Sequence, residues 1–194
     1  KLDKEAIIRG TSIYMLDRVI PMLPKELSNG ICSLNQKEDR FAITVLMEIN
    51  KKGEVVSSDI QKSVIKVTRR MSYKEVQTIL DEIEGAKDKG IFKPKAKQKL
   101  LKECEPYFEH FKRMAELANI LKQRRTKAGS LNLDIPESKI TLDEQGVAIN
   151  VDKYEMYFAN EIIEQFMLTA NETVAEKFYW LEAPFIYRVH EVPD

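Results

Sequence analysis

Residues 40–67 read RFAITVLMEINKKGEVVSSDIQKSVIKV, two β-branched runs on either side of Lys51-Lys52-Gly53-Glu54. Apolar and β-branched residues bounded by a glycine turn predict a β-hairpin, with Gly53 supplying the left-handed backbone position. Both arms are long enough to anchor a sheet. Just downstream, Ser72-Tyr73-Lys74-Glu75 has the spacing of a capping box, in which the serine hydroxyl and the glutamate carboxylate each satisfy an orphan N–H. The helix it opens is predicted to run through Ile79, Leu80 and Ile83 and to stop near Gly85. Upstream, residues 3–10 predict a short helix ending at Gly10, and SIYML and RVIPMLP are too apolar and too proline-marked to continue it. They predict an extended, partly buried passage.

On the C-terminal side a basic connector (Lys93, Lys95, Lys97, Lys99) leads into a helical stretch that Pro106 interrupts, opening a second helix at its first turn. In that second helix Phe108, Phe111, Ala115, Ala118 and Leu121 keep helical spacing, and Lys122, Arg124, Arg125 and Lys127 crowd the last turn before Gly129. Cations there complement the helix dipole. KITLD and VAINV around Glu144-Gln145-Gly146 predict a second hairpin, Tyr154 to Leu181 a long amphipathic helix, and FIYRV after Pro184 a last strand. No internal repeat, low-complexity tract or Ser/Gly linker divides these elements. The expected class is α+β, an antiparallel or mixed sheet from two hairpins packed with several helices, in a single domain over 1–194.

Composition bounds the function classes. The chain has 194 residues, 43% hydrophobic and 32% charged, which excludes disorder, collagen and a disulfide scaffold. With Lys+Arg and Asp+Glu both at 31 there is no global attraction to a polyanion, so a nucleic-acid partner requires a local patch. The longest apolar runs fall far short of the roughly 20 residues that cross a bilayer, and the N-terminus lacks a signal-peptide core. Cys32 and Cys104 lie far apart, form no CxxC pair and have only His110 and His190 for company, which argues against zinc and for a reducing compartment, the cytoplasm first. Asn171-Glu172-Thr173 matches a glycosylation pattern within a helix, and is read as chance.

Chemistry is sparse. Asp81, Glu82 and Glu84 point in different directions around a helix and read as a solvated face rather than a cation site, and neither histidine has a Ser or Cys partner at a recognisable spacing. No GxxxxGK[ST] or GxGxxG loop is present. The runs Lys93 to Lys99 and Lys122 to Lys127 fit either a phosphate backbone or solvated helix termini. Asn160, Glu164 and Asn171 fall within about 40° of one another on the long helix, opposite much of the stripe of Phe158, Ile162, Phe166 and Ala170. That polar stripe faces either a base edge or water.

The run RGTSIYMLDRVIPMLPKELSNGICSLNQKEDR (9–40) closely resembles the catalytic RNB domain of the ribonuclease II/ribonuclease R family. The similarity resumes at RMSYKEVQTIL (70–80), LNLDIPESKITLDEQG (131–146) and IIEQFMLTANETVAEKFYWLEAPFIYRVHEVPD (162–194), in the family's order. The resemblance implies part of a hydrolytic 3′–5′ exoribonuclease that degrades single-stranded RNA, with Mg²⁺ held by an aspartate cluster of the form DxxxxxDxDD in the complete enzyme. That cluster lies upstream of the stretch matching RGTSIYMLDR, and the family's arginine segment at the scissile phosphate lies downstream of Asp194. The chain is therefore expected to be the central segment of the domain, with no catalytic residue and no metal ligand of its own.

Three positions carry over from the resemblance. Tyr14 in SIYML matches the tyrosine that stacks on the terminal nucleotide, Tyr73 in RMSYKEV an aromatic that helps set where an RNA end lies, and Glu164 in IIEQF the glutamate that contacts the 3′-terminal nucleotide. Two departures stand out. Leu133 replaces a common phenylalanine of the base clamp, and Phe158 and Glu161 stand where relatives often carry arginine on a surface facing phosphate. A leucine lacks the π-face that stacks on a base, so a weaker clamp is expected. The alternative expectation is a non-catalytic RNA-binding or scaffold module, and strand edges left open by truncation predict self-association.

Overall fold

The computed structural model describes residues 1–86, 90–131 and 137–189. In chain order the elements are α1 (Leu2–Arg9), β1 (Ile13–Tyr14), β2 (Val19–Ile20), a π-helical turn (Glu26–Ile31), β3 (Asp39–Ile49), β4 (Val55–Lys66), α2 (Tyr73–Ile83), α3 (Pro94–Cys104), a 3₁₀ turn (Glu105–Tyr107), α4 (Phe108–Lys127), β5 (Ser138–Leu142), β6 (Ala148–Lys153) and α5 (Phe158–Trp180). The architecture is α+β. Its described strands pair as separate two-stranded sheets, β1 with β2, β3 with β4 and β5 with β6.

The described residues divide into two compact units. One takes in 1–42, 63–70 and 137–156, the other 43–62, 71–86, 90–131 and 157–189.

In the first unit β1 and β2 pair antiparallel with Ile13 opposite Ile20 and Tyr14 opposite Val19, closed by Met15 N–H donating to Arg18 O at 2.9 Å. Arg9 fastens α1 to the end of this hairpin, its guanidinium donating to Pro21 O at 2.8 Å while pairing with Glu5 at 2.9 Å. Gln36 bridges to Val67, and its side-chain oxygen accepts from Arg70 N–H at 2.9 Å. The β5–β6 hairpin runs from Ser138 opposite Lys153 to Leu142 opposite Ala148, with an irregularity between Thr141 and Leu142. Asp143 sets its turn by accepting from the N–H groups of Gln145 and Val147, at 2.9 and 2.8 Å. No described residue of this unit is buried. The passage expected to be partly buried is extended, but β1 and β2 are exposed and only Pro21, Met22 and Leu23 after them are half covered.

The core lies in the second unit. Leu80 of α2, Ala115 and Ala118 of α4 and Ile162 of α5 form one cluster, with Val76, Phe111, Met114, Phe158 and Phe166 packed on it. The small alanines of α4 let the neighbouring helices approach closely. A second cluster joins Ile79 to Leu100 and Cys104 of α3, and Phe111 packs on both clusters. The Ser72 capping box forms as expected, Glu75 N–H to Ser72 Oγ at 3.3 Å and Ser72 N–H to Glu75 Oε2 at 2.7 Å. Gln77, buried, links two helices: its amide donates to Asp81 Oδ1 at 2.7 Å, and its carbonyl accepts from Ala159 N–H at 3.2 Å, an orphan donor in the first turn of α5.

Three local expectations change. The long helix starts at Phe158 rather than Tyr154, because Tyr154 N–H donates to Glu137 O and prolongs the β5–β6 hairpin. Pro106 sits in the 3₁₀ turn ahead of α4, not in its first turn. The segment 185–189 forms no strand, since no described strand pairs with it; instead Phe185 stacks on Phe178 at 4.7 Å and meets Tyr187 edge-on at 5.1 Å.

Candidate nucleic-acid interface

Tyr14 ends β1 with its side chain 80% exposed, a ring free to accept a stacked base. Tyr73 is the first residue of α2, directly after the capping serine, and is 42% exposed. Glu164 is exposed on α5. Tyr14 belongs to the first unit, whereas Tyr73 and Glu164 both belong to the second, on helices joined through Gln77 and Ala159.

The buried line of α5 runs through Ala159, Ile162, Gln165, Thr169 and Thr173. Its threonines satisfy their hydroxyls within the helix, Thr169 donating to Gln165 O and Thr173 to Thr169 O, both at 2.8 Å. Burial of Thr173 also withdraws the hydroxyl of the formal glycosylation pattern from the surface. Opposite this line stand Ile163, Glu164, Met167 and Asn171, all exposed. Asn160, the third member of the expected polar stripe, is half-buried, and its side chain caps the helix by accepting from Tyr157 N–H at 3.1 Å. It is spent on local structure.

Charge on α5 is sorted by partner. Glu161 forms an ion pair with Lys122, and Glu172 with Arg125 at 2.8 Å, whereas Glu164 and Glu176 have no hydrogen bond or ion pair among the described residues. Arg124 donates to Gly53 O at 2.9 Å. The basic run at the end of α4 is therefore largely engaged within its own unit. In the other run Lys97 pairs with Glu82 at 3.1 Å and Lys99 with Glu103 at 3.9 Å, leaving Lys93 and Lys95 exposed. Phe158 is half-buried and packs on the core cluster around Ile162. Leu133 and His190 lie outside the described residues.

The sequence reading missed two exposed aromatics, Tyr179 (64%) and Trp180 (73%), whose rings meet edge to face at 5.2 Å. Their place at the end of the helix, where the buried stripe runs out before Pro184, is the signal that separates them from the core. Among the described residues no three His, Cys, Asp or Glu side chains gather to hold a cation. Asp81 is held by Gln77 and Glu82 by Lys97. The described residues thus do not fit a catalytic Mg²⁺. No described helix is long and apolar enough to cross a membrane.

The helical unit of this α+β chain thus presents an exposed ring, Tyr73, and an exposed carboxylate without a partner among the described residues, Glu164. The chain belongs to the RNB domain family, which it matches over residues 1–194. It is 44% identical to ribonuclease R of Thermotoga maritima over 194 residues, all of this chain and 25% of that protein. It is 43% identical to ribonuclease R 1 of Lactococcus lactis, covering 99% of this chain and 22% of that protein. The structure of Mycoplasma genitalium RNase R in complex with ribose-methylated single-stranded RNA matches with a TM-score of 0.78 at 27% identity, covering 98% of this chain and 28% of that one. The chain thus spans about a quarter of the length of these relatives.

Proposed function

We infer that this chain is the part of a hydrolytic 3′–5′ exoribonuclease that receives and holds the 3′ end of single-stranded RNA. The observation that carries this reading is Glu164. It is exposed and unpartnered among the described residues, between two α5 glutamates that α4 cations neutralise, and the resemblance matches it to the family's glutamate at the 3′-terminal nucleotide. An ionised carboxylate only accepts hydrogen bonds and repels phosphate, so its natural RNA partners are the hydroxyls of a terminal ribose. Tyr14 supplies a stacking face, and stacking is worth about 1–3 kcal/mol per base without regard to sequence. Tyr73 offers a second ring at the start of α2.

The RNase R names of the relatives and the RNA-bound neighbour support this reading. Any Mg²⁺ used for hydrolysis would have to be held by residues other than those described. The residues described here bind and orient, and the 194-residue chain alone is expected to bind RNA without hydrolysing it. Its cysteine usage fits a cytoplasmic setting.

Titration of a fluorescent single-stranded oligoribonucleotide with the chain tests this. Tyr14→Ala or Tyr73→Ala is expected to weaken binding about fivefold or more, and Glu164→Gln to weaken it measurably. Equal affinity in all three variants would overturn the reading. Mononucleotide release by the chain with Mg²⁺ would overturn the division between binding and chemistry.

A further inference from the structure

An open pocket of about 180 Å³ lies between the last turns of α4 and the middle of α5, lined by Leu121, Arg124, Arg125, Ala128, Thr169 and Glu172. At about 100° per residue Thr169 stands about 140° around α5 from Glu164, so the pocket belongs to the side turned to α4 and not to the face that carries Glu164. Among the described residues two buried side-chain polar atoms lack a hydrogen-bond partner, Arg125 Nε and Gln165 Oε1, and of these two residues Arg125 lines the pocket. A buried guanidinium N–H without an acceptor is costly to keep. Arg125 donates from Nη1 to Glu172 Oε1 at 2.8 Å, and neither its Nε nor its Nη2 has a bond among the described residues. Those two nitrogens form the side of a guanidinium that meets a carboxylate or a phosphate through two parallel N–H bonds.

Charge and size select the ligand. Arg124 and Arg125 face one carboxylate, and because Glu172 is exposed while Arg125 is half-buried, solvent screens the anion of the pair more than the cation. The end of α4 adds about half a negative charge, which reduces the positive surplus without reversing it. Arg124 donates from Nη1 to Gly53 O and keeps its other N–H groups uncommitted among the described residues. Thr169 spends its hydroxyl proton on Gln165 O, so the side-chain donors left at the pocket are guanidinium N–H groups. Two guanidinium groups about 100° apart on a helix address oxygens in more than one plane, which a tetrahedral phosphate presents and a planar carboxylate does not. A cavity of roughly 150 Å³ holds a benzene-sized molecule, so this one has room for a phosphate group and not for a whole nucleotide.

We propose that the Arg124–Arg125 pocket between α4 and α5 binds a phosphate group, with the Nε–Nη2 side of Arg125 as its principal contact, so that a small phosphate-bearing molecule clamps the two helices together. Inorganic phosphate and the phosphate of a 5′-mononucleotide share that chemistry. The site stands independently of the reading of Glu164.

The test follows the arginine Nε–H signals of the chain by NMR during titration with inorganic phosphate at constant ionic strength, with chloride as the control anion. One Nε–H signal, absent from Arg125→Lys, is expected to shift saturably with phosphate and not with chloride. Arg125→Lys keeps a positive charge opposite Glu172 but lacks the fork, and it should lose about tenfold in affinity, read from thermal stabilisation by phosphate. Glu172→Gln removes the competing carboxylate and should raise the affinity severalfold, a direction that a damaged fold does not produce. A 5′-mononucleotide titrated in the same way separates the sources: binding tighter than that of inorganic phosphate assigns the pocket to the mononucleotide, and equal or weaker binding assigns it to the free ion. No saturable shift, an equal response to chloride, or unchanged affinity in either variant overturns the proposal; in the first case water alone serves Arg125 Nε.

Discussion

Arg124 donates a hydrogen bond of 2.9 Å to the carbonyl oxygen of Gly53, and so ties the tip of the β3–β4 hairpin to the last turns of α4. Gly53 suits this place twice over. Its φ is 79°, and a Cβ would stand 3.1 Å from Ile120 Cγ2 and 3.5 Å from Arg124 Cδ. Gly53→Ala is expected to cost about 1–3 kcal/mol, from the left-handed backbone and the crowding together. Gly129→Ala, with φ 98° but nothing within 4 Å, should cost less. Urea midpoints of the two variants check the order.

Ser72→Ala removes the hydroxyl half of a formed capping box and is expected to destabilise the helical unit by about 1 kcal/mol. Tyr73→Ala, one residue on, truncates a ring that is 42% exposed and should move the midpoint less. The two neighbours should separate in a pair of assays, the serine in denaturation and the tyrosine in RNA titration.

The cysteines differ in environment. Cys32 is exposed at the end of the π-helical turn, and Cys104 is 1% exposed against Ile79 and Leu100. A thiol reagent should modify one cysteine in the native chain and both in denaturant. Peptide mapping should find the native label on Cys32; label on Cys104 under native conditions would contradict the packing of α3 on α2.

Because Lys122 and Arg125 are paired with α5 and Arg124 is held by Gly53, the basic run at the end of α4 leaves Lys127 to meet a phosphate backbone. At about 0.7 per phosphate for single strands, two or three contacts give a log K against log[salt] slope no steeper than about −2. A markedly steeper slope would mean that these ion pairs open when RNA binds.

Much of the scaffold was legible because it rests on local signals. Gly53 fixed the hairpin turn, Ser72 and Glu75 the start of α2, and the spacing of Phe111, Ala115 and Ala118 the inner face of α4. Features that depend on distant partners were not legible. FIYRV has strand composition but no described partner strand, and the engagement of the basic run needed Glu161, Glu172 and Gly53 to be brought to α4. For the interface, helical periodicity placed Glu164 and Asn171 on one face, but it had no means of showing that Asn160 is consumed by Tyr157 N–H. Helix geometry gives directions; hydrogen-bond competition decides which groups stay available.

One buried amide sets a dimension of the candidate site. Gln77 lies a turn beyond Tyr73 on α2 and accepts from Ala159 N–H at 3.2 Å, five residues ahead of Glu164 on α5. The ring and the carboxylate are thereby indexed to each other through this hydrogen bond together with the packing of Leu80 on the cluster that holds Ile162. Altering Gln77 leaves both groups chemically intact and deprives Ala159 N–H of its acceptor, so on the proposed reading its effect is expected in the length of the RNA footprint rather than in the strength of either contact.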